Sequence, residues 1–585
     1  MDPIDYGRFE DGRHVNYYEL DRTFRREVRR VTGADDHEWA AEQLRSFGDV
    51  VGNTIADNAD VVDEHGPILH TYDRDGEVQN YVEYHPKQAE NERLAYGAGI
   101  VSDAFEAPPG RDDPMPLTHH LAMEYLLSYA DPGFTCPVSM TAGAALVLDK
   151  YGEGETLESY YEGLVTRDGD ENIEGAMFLT EKQGGSDVGA NETVAEHVAG
   201  NRYELTGEKW FCSNIDAEGT LALARTPDAP EGTKGLSLFL VPHTVDGELN
   251  DQLYRRLKDK LGTISVPTGE VELQGATGYI VGEEQRGFRY MTDMLNLERL
   301  SNATASVAIM GRCLLEAKVH AANREAFGSP IQEYPLMKRD LVDMAVDHEA
   351  AVAYTFEAGR VLDRREREGD DDAYRLMRVL VPIAKSRTAR MAVDTASYAM
   401  EILGGNGYVK DFVTHRMLRD AQVLPIWEGT SNILALDVLR ALDREDAHEP
   451  LLETIQANLD AAEHPALAET TETIQDAYAD LGTAMATLAT EDGEYAQLQA
   501  KELADYIFDV FTGSLLLAEA QAEIDAEADA RLALVAERFV DRRLRDHDAR
   551  GITGGDRFAL EHFDAVVRYE SVDPETLVET APADD

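Results

Sequence analysis

Between residues 174 and 283 the apolar side chains recur at every second position, while on both sides of that stretch they recur at every third and fourth. The first spacing belongs to a half-buried strand and the second to an amphipathic helix, so a β unit interrupts a chain that is otherwise helical. The runs "AMFLTE", "RYELTG", "LALART", "LSLFLVP" and "TGEVELQG" carry the alternation, separated by Gly and Asp turns. At 585 residues the chain is too long for one core. The expected division is a helical N-terminal domain over 1–173, a β domain over 174–283, a helical bundle over 284–445 and a helical extension over 446–585. The final "ETAPADD" is expected to fray.

Charge narrows the setting. The 112 acidic residues outnumber 54 basic ones for a net charge of -58, and about a dozen of the bases are lysine. The acids are spread along nearly the whole chain instead of forming one patch for a basic partner, which reads as solvation in concentrated salt and points to the cytoplasm of a halophile. Cys136, Cys212 and Cys313 lie far apart with no CxxC pair, so neither a disulfide framework nor a zinc or other metal site is expected. The opening "MDPIDYGRFEDGRHVNYYELD" lacks the basic region and apolar core of a signal peptide, and no apolar run reaches spanning length, so no membrane partner is expected.

Five short segments carry chemistry. "FLTEKQGGSDVGANET" (Phe178 to Thr193) follows a strand with glycines that let the backbone approach a ligand and donate N–H groups to it. "GEKWFCSN" (Gly207 to Asn214) alternates so that Phe211 and Ser213 share one face, an aromatic surface beside a hydroxyl that suits a planar heterocycle. "REAFGSPI" (Arg324 to Ile331) and "EILGGNGY" (Glu401 to Tyr408) each end a helix. "IWEGTSNI" (Ile426 to Ile433) sets a lone carboxylate, Glu428, between an apolar run and a turn that opens the next helix. Each has an ordinary structural explanation by itself: a hairpin loop, core packing, two helix stops, and an acid near a helix N-terminus.

In this order and at these spacings, over roughly residues 60 to 445, the segments resemble the acyl-CoA dehydrogenase family of flavoproteins. "TEKQGGSDV", "CPVSMT" (Cys136 to Thr141), "RLKDKLG" (Arg256 to Gly262) and the acidic helical tail look closest to its AidB-like, alkylation-response branch. The resemblance implies a helical domain, a barrel-like β domain and a four-helix bundle, here with a helical extension. It also implies FAD as cofactor and a homo-oligomer, usually a tetramer. Residue by residue it implies that Leu179 packs beside the flavin and Thr180 bonds to it. Ser186 would lie near the FAD pyrophosphate or the CoA moiety, Phe211 would stack on the ring system, and Ser213 would lie near flavin N5. Arg324, Phe327, Glu401 and the turn containing Gly404 and Gly405 would reach the FAD of a neighbouring subunit, whose pocket Thr430 and Asn432 complete. Asn296, Arg299 and Gly429, with Ser186, would contact substrate.

Glu428 matches the family's catalytic base. Abstracting the α-proton of a thioester calls for a carboxylate in a dry pocket, because burial raises its pKa to a useful value. The product would be a trans-2-enoyl-CoA, with an electron-transferring flavoprotein as acceptor. "LNLERL" (Leu295 to Leu300) supplies a second candidate, Glu298, at the position that provides the base in the isovaleryl-CoA type. Glu428 takes the role here, Glu298 is a pocket residue or secondary acid, and Arg299 is expected to neutralise whichever carboxylate lies nearest.

Glu401 stands where many relatives have Gln, a change shared with the AidB-like branch, and Pro335 where many have another Gln. In that branch the C-terminal helices bind DNA, which requires a basic surface. This extension carries more than thirty acids against nine bases. "RFVDRRLRDHDARG" (Arg538 to Gly551) could form a local basic stripe, though a solvated helix of alternating charge explains it better. The extension is expected to pack on its own subunit or a neighbour. Two readings follow: an acyl-CoA dehydrogenase, or a DNA-binding flavoprotein of the same fold with weak dehydrogenase activity. A nitroalkane-type oxidase is disfavoured, since it would want Asp at the Glu428 position.

Overall fold

A computed structural model describes residues 3–169 and 171–579, so 580–585 of the expected frayed end lie outside the described residues. The N-terminal region begins with α1 (Arg22–Val50), capped by the Asp21 carboxylate, which accepts from the Phe24 N–H at 2.9 Å, and kinked at Gly33. A hairpin, β1 (Ile68–Tyr72) and β2 (Val78–Glu83), then departs from the helical expectation. Its strands are too short to set up a period. Its turn is built by Asp73, whose carboxylate accepts from Asp75 and Glu77 N–H groups, with Gly76 at φ +90°. Four helices follow: α2 (Pro86–Gly97), α3 (Leu117–Ala130), α4 (Pro132–Tyr151) and the shorter Glu155–Val165. Every residue of α3 is buried, which is why its sequence lacks a polar face.

The alternating stretch folds into β3 (Gly175–Phe178), β4 (Val194–Ala199), β5 (Arg202–Ser213), β6 (Gly219–Arg225), β7 (Leu236–Pro242), β8 (Gln252–Leu257) and β9 (Thr268–Val281). β9 pairs with β5, β5 with β4, β4 with β6, β6 with β7, and β7 returns to β9. The ring closes, leaving β8 attached to β9 and β3 to β6. Leu205, Ala222, Phe239 and Val271 belong to the apolar cluster of this β unit. The β5–β9 register sets Ser213 opposite Thr268.

The bundle consists of α5 (Gly287–Asn323), α6 (Pro335–Asp363), α7 (Asp371–Leu403) and α8 (Ser431–Arg444). A two-rung hairpin, β10 (Glu325–Ala326) and β11 (Ser329–Pro330), projects from the end of α5. The extension adds α9 (His448–Ala461), α10 (Ala468–Thr490), α11 (Ala500–Glu527) and α12 (Arg531–Leu544). One apolar core runs through the N-terminal helices, the bundle and the extension. On its own subunit the extension docks aromatic to aromatic, the ring of Tyr354 on α6 lying 4.8 Å from Phe508 and 5.5 Å from Phe511 of α11.

The Arg538–Gly551 segment is neither a basic stripe nor a solvated helix along its length. Arg538 is buried and pairs with Asp343 and Asp556 at 2.9 Å each, Arg542 and Arg543 pair with Asp347 at 3.0 and 3.2 Å, and Arg545 pairs with Glu469 at 2.8 Å. Its arginines face acids of α6 and α10, so their charges are compensated where these helices meet. Among the described residues no helix is long and apolar enough to cross a membrane.

Candidate active site

Glu428 occupies the turn between the short helix Thr414–Ala421 and α8. It adopts φ +55° and the next residue, Gly429, φ +98°. A left-handed non-glycine residue is disfavoured by about 1–2 kcal/mol, so the surroundings must hold it. They do so through two cations. Lys385 on α7 donates from Nζ to the Gly429 carbonyl at 2.6 Å, and Arg299 on α5 donates from Nε to the Glu428 carbonyl at 3.4 Å. The Glu428 Oε2 is buried without a hydrogen-bond partner, as is the indole Nε1 of Trp427 beside it. Polar atoms left open in a dry site are where a ligand would complete the bonding.

Glu298 lies in the same pocket. Its Oε2 accepts from the Ser139 hydroxyl of α4 at 3.0 Å, and its Oε1 is buried and unpartnered. This approach depends on Gly143, where a Cβ would meet Met294 Cγ at 2.6 Å and Glu298 Oε1 at 3.4 Å. Burial, then the charges of Glu428 and Glu124, push the Glu298 carboxyl well above its ordinary value, so it is held as the neutral acid. Burial also raises Glu428, but Lys385 and then Arg299 pull it back down. Two carboxylates with one held neutral can divide the work of a proton-transfer site. Behind them, Glu124 and His120 of α3 form a second buried pair at 3.3 Å.

The β domain carries the other expected cofactor residues. Leu179 is buried at the end of β3, and the Thr180 carbonyl accepts from the Trp210 N–H at 2.9 Å, tying that loop to β5 beside Phe211. Phe211 is 58 % exposed, an aromatic face left open on the barrel. Ser213 shares a 3.0 Å hydrogen bond with Thr268, to which Lys260 donates at 3.3 Å. Burial and then the charge of Glu298 raise the Cys136 thiol, Lys260 of this domain lowers it, and Glu428 raises it further. Gly185 has no room for a side chain, since a Cβ would come 2.6 Å from Thr180 Oγ1, and Ser186 beside it is exposed. An open aromatic face, an exposed glycine loop and the orphaned Trp427 indole fit a flavin dinucleotide. Leu179, Thr180, Ser186, Phe211 and Ser213 are the residues that would hold it.

The expected residues at the far ends of α5 and α7 lie apart from this pocket. Arg324 is 26 residues beyond Glu298 on the α5 line, about 39 Å at 1.5 Å per residue, and Gly404 is 19 residues beyond Lys385 on α7, about 28 Å. Arg324, Phe327, Glu401, Gly404 and Gly405 are exposed, Phe327 at 98 %. Asn296 is buried on α5, while Thr430 and Asn432 are exposed at the start of α8, and Thr430 makes no side-chain cap bond. Arg299 neutralises the carboxylate nearest to it, Asp437 at 2.9 Å, touches Glu428 through its backbone carbonyl, and lowers that acid less than Lys385 does. Asp437 is nearly two turns into α8 and also takes Arg378 at 2.9 Å.

Sequence reasoning missed Ser139, Glu124, Asp437 and Lys385. A signal existed for Lys385: lysine is scarce in this chain, and this one interrupts the apolar run "VLVPIAKS".

Comparisons with known proteins agree with this architecture. The family described as acyl-CoA dehydrogenase, C-terminal domain, matches residues 285–442, its middle domain matches 176–276, and the adaptive response protein AidB N-terminal domain matches 9–171. Residues 448–556 match the acyl-CoA dehydrogenase 11 C-terminal domain-like family. Acyl-CoA dehydrogenase family member 11 of Caenorhabditis elegans is 33 % identical over 441 residues, 74 % of this chain and 71 % of the relative. Putative acyl-CoA dehydrogenase AidB of Escherichia coli is 33 % identical over 435 residues, 70 % of this chain and 75 % of the relative. The crystal structure of C. elegans ACDH-11 in complex with C11-CoA superposes with a TM-score of 0.85 at 28 % identity, covering 95 % of this chain and 98 % of that one.

Proposed function

The chain belongs to the acyl-CoA dehydrogenase family of FAD-dependent oxidoreductases, and on that premise we propose that it oxidises an acyl-CoA thioester to the trans-2-enoyl-CoA with Glu428 as the base. The observation that carries the reading is Glu428 itself, a carboxylate with one buried, unpartnered oxygen beside the equally unpartnered indole of Trp427. Glu428 takes the proton from the α-carbon, and the dry pocket strengthens that carboxylate as a base. Bound FAD supplies the acceptor for the hydride equivalent leaving the β-carbon. Glu298, held neutral by burial, adds no second charge opposing the thioester. The hydroxyl of Ser139 keeps its carboxyl in place.

An electron-transferring flavoprotein is the proposed acceptor. A homotetramer is the proposed assembly, in which exposed Arg324, Phe327, Glu401, Gly404 and Gly405 serve a neighbouring subunit's FAD, and Thr430 and Asn432 complete that pocket. Substrate contacts are assigned to Ser186, Asn296, Arg299 and Gly429. The four-domain division of the sequence, the cytoplasmic location and the salt-rich setting are part of the same proposal. The related ACDH-11 binds C11-CoA, which supports an acyl-CoA substrate here. DNA binding finds no support in the extension, whose arginines at 538, 542, 543 and 545 are engaged with acids.

Anaerobic titration of the yellow protein in multimolar salt, with short, branched and long acyl-CoA thioesters, tests the proposal. Rapid loss of flavin absorbance with one chain class is expected. A protein that keeps FAD and bleaches with none of them would overturn it and favour the DNA-binding alternative.

A further inference from the structure

Lys385 is fully buried, and among the described residues its one hydrogen bond is the 2.6 Å donation to the Gly429 carbonyl. No carboxylate lies within ion-pair distance of its Nζ among those residues. A buried ammonium with two unused donors is unstable unless a negative charge compensates it from nearby. Arg299, the other cation on this turn, already has such compensation in Asp437, which Arg378 and Arg440 share. The acid next to the carbonyl that Lys385 holds is Glu428.

We infer that Lys385 is the positioning residue and counter-charge of Glu428, fixing the left-handed Glu428–Gly429 turn through one donor and facing the carboxylate with its charge. The inference rests on the proposed role of Glu428. The groups around that carboxylate act in opposite senses. Glu298 from α5 carries an acid that resists a second charge, with Glu124 of α3 behind it, while Ser139 of α4 bonds Glu298. Arg299 of α5 is spent on Asp437 of α8. Cys136 of α4 has its thiol raised by burial, and Lys260, in the loop before β9, acts on that thiol. Lys385 from α7 is the cation with no acid of its own that acts on Glu428, and the stronger of the two. The two values interlock accordingly: burial lowers Lys385 to about 7 while Glu428 raises it, and Lys385 is the first of the charges that lower Glu428.

The sign follows directly. Removing the cation takes away the largest of the charges that oppose burial and leaves Arg299 as the remaining one, so Glu428 titrates at higher pH and the acid limb of its activity moves up. In FAD-loaded Lys385→Met, whose side chain nearly matches lysine in volume, the acid limb of thioester-driven flavin reduction should move up by about one pH unit or more, whereas Lys385→Arg should leave it near the wild-type position. A second measurement is independent of turnover. Thermal melts of Lys385→Met, Glu428→Gln and the double variant at pH 6, where Lys385 carries its charge, should be non-additive, the double variant melting several degrees above the sum of the single effects. An unmoved acid limb in Lys385→Met, or an additive melting cycle, overturns the inference. If no thioester is oxidised, the functional proposal fails while the melting cycle still decides the pair.

Discussion

Arg531 and Glu349 form a buried, bidentate ion pair, Nη1 to Oε1 at 2.8 Å and Nη2 to Oε2 at 2.6 Å, that joins the first residue of α12 to the middle of α6. Arg26 of α1 reaches the same carboxylate at 2.9 Å, so the N-terminal domain, the bundle and the extension meet at one acid. Arg26 and Arg30 also contact Glu519 of α11 at 3.7 and 3.0 Å. The extension is therefore wired into the body of the subunit.

Arg531→Met should strand the Glu349 charge and lower stability by about 3–5 kcal/mol, and the Arg531→Met/Glu349→Met pair should lose less than the two single changes summed. Denaturant unfolding in constant salt measures both. Additivity would mean that the two side chains act separately.

Acid sensitivity follows from the same site. Burial would raise Glu349, but Arg531 and then Arg26 outweigh it and hold the carboxyl at about 2, below the ordinary 4.5. A depressed folded-state value gives stability that is fully present above the unfolded value and is lost as pH falls from 4.5 toward 2. The wild-type denaturation midpoint should fall over that window, and its dependence on pH should be weaker in Arg531→Met.

Glu428→Gln should keep FAD and lose turnover by about 10²–10⁴-fold, the usual worth of a positioned base, while Glu298→Gln should stay within about tenfold of wild type. Stopped-flow flavin reduction separates them. The opposite ranking would give the base role to Glu298.

Phe327 is 98 % exposed on the β10–β11 hairpin, so Phe327→Ser should change the stability of the subunit fold by no more than about 0.5 kcal/mol. Its proposed place against a neighbour's FAD predicts faster release of the cofactor from the assembled protein, read by flavin fluorescence. Unchanged release would remove Phe327 from the cofactor site.

The extension should not retain duplex DNA at 150 mM salt or above, about the range in which unpaired arginine contacts still give measurable non-specific affinity. A mobility-shift series that found retention, and lost it in Arg545→Glu, would reopen the DNA-binding alternative.

Local spacing carried much of this structure. The change from a three-and-four repeat to an alternating one marked the β unit at its place in the chain, because strand and helix periods are properties of neighbouring residues. It failed at Ile68–Glu83, where two short strands gave too few residues for a period to be read. The motif around Glu428 marked an acid in an apolar setting.

What surrounds that acid was settled only by folding. Lys385 meets Gly429 across 44 residues of chain, and Ser139 meets Glu298 across 159. Arg299 stands next to a candidate base in sequence yet spends its charge on Asp437. The arginines of α12 look like a basic stripe until α6 presents Asp343 and Asp347 to them. Sequence determines which face of each helix is apolar, but the pairing of charges depends on how far one helix slides and turns against the next. Those offsets come from packing summed over the whole core, and no local stretch contains them.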